Sequence, residues 1–333
     1  MPRPPSGPSG TESSRTSPSA RRTGPAGALY ALLAYTSWGV MPVYWKGLAA
    51  IAPLEILLHR IAGTALFAAL LLTLARRWGE VRAILRHRRR LLALLGSALL
   101  IAANWGIFIW AVQRGQIVAT SLGYYLNPLA NVALGLLLLR ERLTRLQLAA
   151  VGIAAAGVAY FTAAAGGLPW ISLALATSFA LYGLIRKTVA AGSLAGLAVE
   201  TALLAPAALA GIALLEARGA GALGSGALGA LETTGLLAAG IVTALPLLWF
   251  ASAARRLRLA TLGLFQYIAP SLSLACAVGL YGEPFTRAHA VAFGCIWLAL
   301  ALYSFESLRL YRSLGPAVAV PATALPEPPS SGS

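Results

Sequence analysis

The chain has 333 residues, 58% of them hydrophobic and only 11% charged, with a mean hydropathy of +0.75 and a formal net charge of +16. These values fit a polytopic membrane protein better than a water-soluble domain, and basic residues set in short segments between apolar runs argue for membrane orientation and against nucleic acid as a partner. All ten acidic residues are glutamates, so the aspartates of ATP-driven pumping and of aspartyl proteolysis are missing, as are the G-x-x-x-x-G-K-[ST] and H-E-x-x-H motifs.

Residues 1–25 are rich in Pro, Ser, Gly and Arg and read as a disordered tail, without the apolar stretch and cleavage site of a signal peptide. Ten apolar runs follow, at about 26–46, 53–74, 91–112, 118–139, 146–164, 169–187, 195–215, 235–254, 260–281 and 289–308. Each is long enough to span a bilayer, and in hydrocarbon a helix is the solution that satisfies its own backbone. Thr144-x-x-Gln147 reads as a capping box opening the fifth run, and Thr286 stands in the same place before the tenth. Pro42, Pro128, Pro206, Pro246 and Pro270 interrupt runs, as kinks or as points where carbonyls are freed near a cavity. Cys276 and Cys295 read as small buried hydrophobes, and no metal, disulfide or cofactor is expected. The Pro/Ala/Ser-rich segment 311–333 reads as a second disordered tail.

A repeat underlies the runs. Leu122, Tyr125, Pro128, Glu141, Thr144, Arg145 and Gly152 recur as Leu264, Tyr267, Pro270, Glu283, Thr286, Arg287 and Gly294, each pair 142 positions apart. Residues 26–165 and 166–310 then form two repeats of five helices. With the N-terminus in the cytoplasm, the inner segments carry 21 Lys and Arg and the outer segments four, leaving Arg60 within the second run. That asymmetry places both termini inside. Five is odd, so the second repeat enters from the opposite face. The expected fold is an all-α membrane protein of ten transmembrane helices, two inverted five-helix repeats with N-in/C-in topology.

Ionisable groups inside spans are the functional candidates. Glu55, His59 and Arg60 share the second run as E-I-L-L-H-R, with Glu55 and His59 on one face. Glu200 stands in the seventh run, the counterpart of the second. They read either as a relay for protons or ligand, or as a static Glu–Arg pair between helices. Trp38, Asn104, Tyr125, Asn127, Gln266 and Tyr267 are candidates to line a cavity. Interhelical amide bonds and interfacial anchoring explain such residues as well.

The stretches Glu55–Arg60, Asn104-Trp105, Phe108–Val112, Ser121–Pro128, Ser178–Lys187 and Arg256–Tyr267 together resemble the EamA branch of the drug/metabolite transporter superfamily, over about Gly27 to Arg312. The resemblance implies ten helices, inverted repeats and secondary transport. It supplies no substrate. Arg140 stands where the family has a glycine before the first repeat's glutamate. The reading is an inner-membrane secondary transporter of small metabolites or drugs, proton-coupled and exporting, that works by alternating access and is not an enzyme. Its partners are a small-molecule substrate, a proton or other coupling ion and the lipid bilayer, and a homodimer is one assembly it allows. An uncoupled facilitator or channel is the first alternative. An integral membrane enzyme, which would need a catalytic constellation the sequence lacks, is the second.

Overall fold

The structure, a computed structural model, describes residues 24–138, 144–226, 228–254, 256–257, 261–262 and 265–313. Among these residues the chain is helical and has no strand. The helices are α1 (Gly24–Gly47), α2 (Pro53–Leu74), α3 (Trp78–Leu85), α4 (Arg88–Gln113), α5 (Ile117–Leu138), α6 (Arg145–Ala165), α7 (Trp170–Thr188), α8 (Ser193–Ala217), α9 (Ala230–Ala254), α10 (Ile268–Ala275, continued by a π-turn over Cys276–Leu280) and α11 (Arg287–Ser313). Six are long and apolar enough to cross a membrane: Pro53–Leu74, Arg88–Gln113, Arg145–Ala165, Ser193–Ala217, Ala230–Ala254 and the Arg287–Glu306 part of α11. The expected tails fall outside the described residues, save that α1 begins at Gly24 and α11 runs to Ser313. The connection bearing Arg140 and Glu141 also lies outside them.

Local chemistry sets the helix ends. Pro53 opens α2, where its missing N–H costs nothing. Thr144 and Gln147 cap α6 reciprocally, backbone to side chain in both directions. At α11 the corresponding partner of Thr286 is His289: its Nδ1 lies 2.8 Å from the Thr286 hydroxyl and accepts from the Thr286 N–H at 3.2 Å. Gly166 ends α6 in the left-handed conformation. The basic segment after α2, which reads as a plain connection, contains α3. Its Val81 and Ile84, three apart, share a face and pack into a small core with Ala68, Leu72, Leu94 and Ala195.

The main packing between the first five long helices (α1, α2, α4, α5, α6) and the last five (α7 to α11) has an exchange property. Helix α2 packs on α8, α5 on α10 and α6 on α11. Likewise α1 packs on α9 as α4 does on α7, α2 on α9 as α4 on α8, and α1 on α10 as α5 on α7. Swapping each helix for its partner five runs away carries these pairings onto themselves. At one crossing the backbones touch: a Cβ on Gly240 of α9 would overlap the backbone of Gly63 and Thr64 in α2. The largest apolar core joins α1, α4, α5, α7 and α11 around Trp45, Ile109, Leu122 and Phe293. Leucines such as Leu66, Leu74, Leu231 and Leu237 remain exposed on the outside. An outside that apolar suits lipid, not water.

Candidate functional site

Helix α4 carries contacts to two buried charged centres. Ser97 touches one and Trp105 the other, eight residues apart, or about 12 Å along the helix.

The first centre is Glu200, in the second turn of α8 and only 1% exposed. Its Oε1 accepts the Ser97 hydroxyl at 2.5 Å and lies 3.6 Å from Arg186 Nε. The Tyr182 hydroxyl faces the same carboxylate, and Oε2 is buried without a hydrogen-bond partner of good geometry. Tyr182 and Arg186 are four apart on α7 and so share a face. The tight connection from Val189 to Gly192 folds that face back over α8. The Arg186 guanidinium lies across Gly196, where any Cβ would overlap it. A carboxylate removed from water by several kcal/mol is retained because a cation and a hydroxyl meet it.

The second centre is Arg60, 6% exposed in α2. Its guanidinium lies 4.1 Å from the Trp105 ring centre and 5.0 Å from that of Trp45. The phenols of Tyr44 and Tyr124 are near enough to feel its charge, but Tyr44 donates its own proton to the Gly235 carbonyl. No carboxylate pairs with Arg60 among the described residues, and its Nε is buried without a partner. Desolvated cation–π contacts contribute about 2 kcal/mol each. Two of them offset the roughly 2.5–3.5 kcal/mol that insertion of a central arginine costs, so the charge persists without an anion.

An aromatic series links the two centres. Phe108 meets Tyr124 edge-on at 5.6 Å, Tyr124 meets Phe179 at 6.3 Å, and Phe179 meets Tyr182 at 5.9 Å.

The remaining candidates have other placements. Glu55 accepts the Ala222 N–H at 2.7 Å and so clamps the α8–α9 connection to α2. His59 Nδ1 meets the Glu55 carbonyl at 3.0 Å, one turn back in its own helix. Glu55, His59 and Arg60 therefore have separate partners. Asn104 donates to the Leu175 carbonyl at 3.0 Å and to the Ser178 hydroxyl at 2.9 Å, tying α4 to α7, while its Oδ1 is buried and unpaired. The Asn127 Oδ1 is buried and unpaired as well. Tyr125 hydrogen-bonds Ser271 and stacks on Tyr267 at 6.3 Å. Gln266 lines an open cavity of about 270 Å³ with Pro128, Asn131, Val132 and Tyr303. Trp38 packs with Tyr35 and Phe250, between α1 and α9. A second cavity, of about 180 Å³, is lined by Gln116, Phe161, Trp170 and His289.

Sequence reasoning singled out Glu200 and Arg60 and missed their partners. Arg186 sits at a run end, where it counts as an orienting charge. The i,i+4 spacing of Tyr182 and Arg186 opposite a buried glutamate was the available signal. Among the described residues no group of three or more His, Cys, Asp or Glu is placed to hold a metal.

Comparison with known proteins adds to this geometry. Residues 25–163 match the model of the EamA-like transporter family. The chain is 45% identical over 287 residues to an "uncharacterized transporter" of Vibrio cholerae, covering 85% of this chain and 93% of that protein. It is 40% identical over 286 residues to Protein RarD of Escherichia coli K12, covering 86% and 96%. Chloramphenicol-sensitive protein RarD of Pseudomonas aeruginosa is 32% identical over 290 residues, covering 86% and 96%. A solved crystal structure is similar in fold, with a TM-score of 0.53 and 21% identity over 86% of this chain and 99% of that one.

Proposed function

The chain belongs to the EamA-like transporter family and is a RarD homologue, a multi-pass membrane protein, and on that premise we propose that it is a secondary transporter exporting small metabolites or drugs in exchange for protons. The family and the relatives' names point to a transporter and away from an enzyme. The observation that carries the proposal is the Ser97–Arg186–Glu200 centre: a carboxylate all but sealed from solvent, with Ser97 and Arg186 at one oxygen and the other buried without a hydrogen-bond partner of good geometry. In this reading ten helices form two inverted five-helix repeats, 26–165 and 166–310, in the inner membrane with both termini in the cytoplasm. The exchange property of the helix packing and the 142-residue repeat support it. The halves rock about the two charged centres, giving access first to one side and then to the other. Protonation of Glu200 loosens its hold on Arg186 and biases that equilibrium. Tyr125, Asn127, Gln266, Tyr267 and Asn104 line the path, while Glu55, His59 and Trp38 set the packing around it.

The alternative, an uncoupled facilitator, draws on the same Arg186–Glu200 contact, because a permanently ionised pair carries no proton. Comparing culture medium from deletion and overexpression strains identifies the exported solute. Its flux in proteoliposomes, with and without an imposed pH gradient, then separates the readings. Proton coupling predicts a flux that follows the gradient and a Glu200→Gln variant that does not respond to it. Flux indifferent to the gradient in the parent protein defeats the coupling. This reading is compatible with a monomer or a homodimer, which the light-scattering mass of the purified protein in detergent tells apart.

A further inference from the structure

We infer that Arg60 receives an anionic substrate: the transported solute is an organic monoanion whose carboxylate docks on the Arg60 guanidinium and whose body lies along Tyr124 and Phe179. The inference rests on the transporter reading above and deepens it by naming the substrate class.

The first argument is one of charge. The chain contains no aspartate, so only a glutamate could neutralise Arg60 from within. Inside the helices, Glu200 is committed to Ser97 and Arg186, and Glu55 to the Ala222 N–H. Glu283 is turned to the start of α5, where its two oxygens accept the Ile117 and Val118 N–H groups, both at 2.8 Å. Glu306 lies by Arg309, 3.9 Å away. Each buried glutamate thus faces a partner other than Arg60, which is left without a carboxylate among the described residues. One bound monoanion supplies that missing partner.

The second argument is one of hydrogen bonds. A guanidinium offers five N–H donors in a rigid fork, and none of those of Arg60 has a protein acceptor among the described residues. The ring faces of Trp45 and Trp105 hold the group by its π-system, which leaves the N–H edge for a ligand. A planar carboxylate matches that edge with two parallel bonds. A structural arginine in a protein interior ordinarily finds its acceptors among carbonyls or carboxylates. The aromatic series beyond Tyr124 supplies an apolar wall for the rest of the solute, and it ends at Tyr182 beside the Glu200 centre. Ligand and coupling group are thereby placed on one continuous surface.

The test uses the full-length protein in detergent at neutral pH, with benzoate, phenylacetate and indole-3-acetate as probes, each paired with its neutral amide. The readouts are the thermal midpoint and the tryptophan emission, to which Trp45 and Trp105 contribute. At least one acid is expected to raise the midpoint and change the emission while its amide does neither. Arg60→Lys should weaken the response about tenfold, and Arg60→Gln should abolish it, each response being read as the shift from that variant's own ligand-free midpoint. Equal responses to acid and amide, an acid response that survives Arg60→Gln, or no response to any acid in the parent overturns the inference. Failure of the two readings is distinguishable. Arg60-dependent binding without flux in proteoliposomes defeats transport alone, whereas flux of a neutral solute that survives Arg60→Gln defeats the anion site alone.

Discussion

At the residue scale the two charged centres differ in how their charge is held, and the difference predicts how each tolerates substitution. Glu200 is held by polar partners, so removing one of them strands the other. Arg186→Met should destabilise the protein by about 3 kcal/mol, the low end of the range for breaking a buried pair, because Arg186 keeps some contact with solvent. Replacing both partners, Arg186→Met with Glu200→Leu, should restore much of that loss, since an apolar pair has no stranded charge. Thermal unfolding of the three proteins in one detergent checks the order; a double variant less stable than the single one contradicts it. Arg60 is held by ring faces, so its removal strands no partner ion. Glu200 and Arg60 were legible in the sequence because a charge inside a twenty-residue apolar run has few explanations. Their partners were not. Trp45 and Trp105 reach Arg60 from other helices, and Arg186 reaches Glu200 only because Gly196 leaves room for its guanidinium.

At the scale of elements, helix ends and crossings carry the testable content. Glu283 accepts two N–H groups at the start of α5, where the helix dipole also favours a negative charge. Glu283→Ala should cost about 2 kcal/mol, that of a lost cap with charge-assisted bonds. The glutamine variant should fall between, because its single carbonyl oxygen replaces one bond of the two. Unfolding midpoints in the order parent, glutamine, alanine are expected, and an alanine variant equal to the parent refutes the cap. At the α2–α9 crossing, Gly240→Ala places a methyl against the backbone of Gly63 and Thr64, which have no flexible side-chain end to yield. Overpacking costs about 1–3 kcal/mol where neighbours can relax, and more where they are backbone, so the yield of folded, monodisperse protein should drop sharply. The existence and bounds of most helices followed from hydropathy and capping. The break around Gln266 and Tyr267 and the π-turn over Cys276–Leu280 did not, because two polar residues in a long apolar run do not by themselves end a helix and Cys276–Leu280 carries no helix-breaking proline. Helix α3 was hidden for the converse reason, its two apolar anchors being outnumbered by surrounding arginines.

At the scale of the whole molecule, the arrangement of halves gives the centres their meaning. The 142-residue repeat and the exchange property of the helix packing describe one symmetry, seen once in the chain and once in space. Under the proposed function, inverted halves would make the two faces nearly equivalent, and a modest bias, such as one proton on Glu200 or one anion at Arg60, would then shift which face is open. The most direct test of that account is the sidedness of the chain. In a background with Cys276 and Cys295 replaced by alanine, single cysteines are introduced near each end of the chain and in the connections after α1, α2, α4, α7, α8 and α10, then labelled in intact cells with a membrane-impermeant thiol reagent. The account predicts labelling in the connections after α1, α4, α8 and α10, and protection of both ends and of the connections after α2 and α7. Ends that label on opposite sides, or matching connections of the two halves that label on the same side, would contradict it.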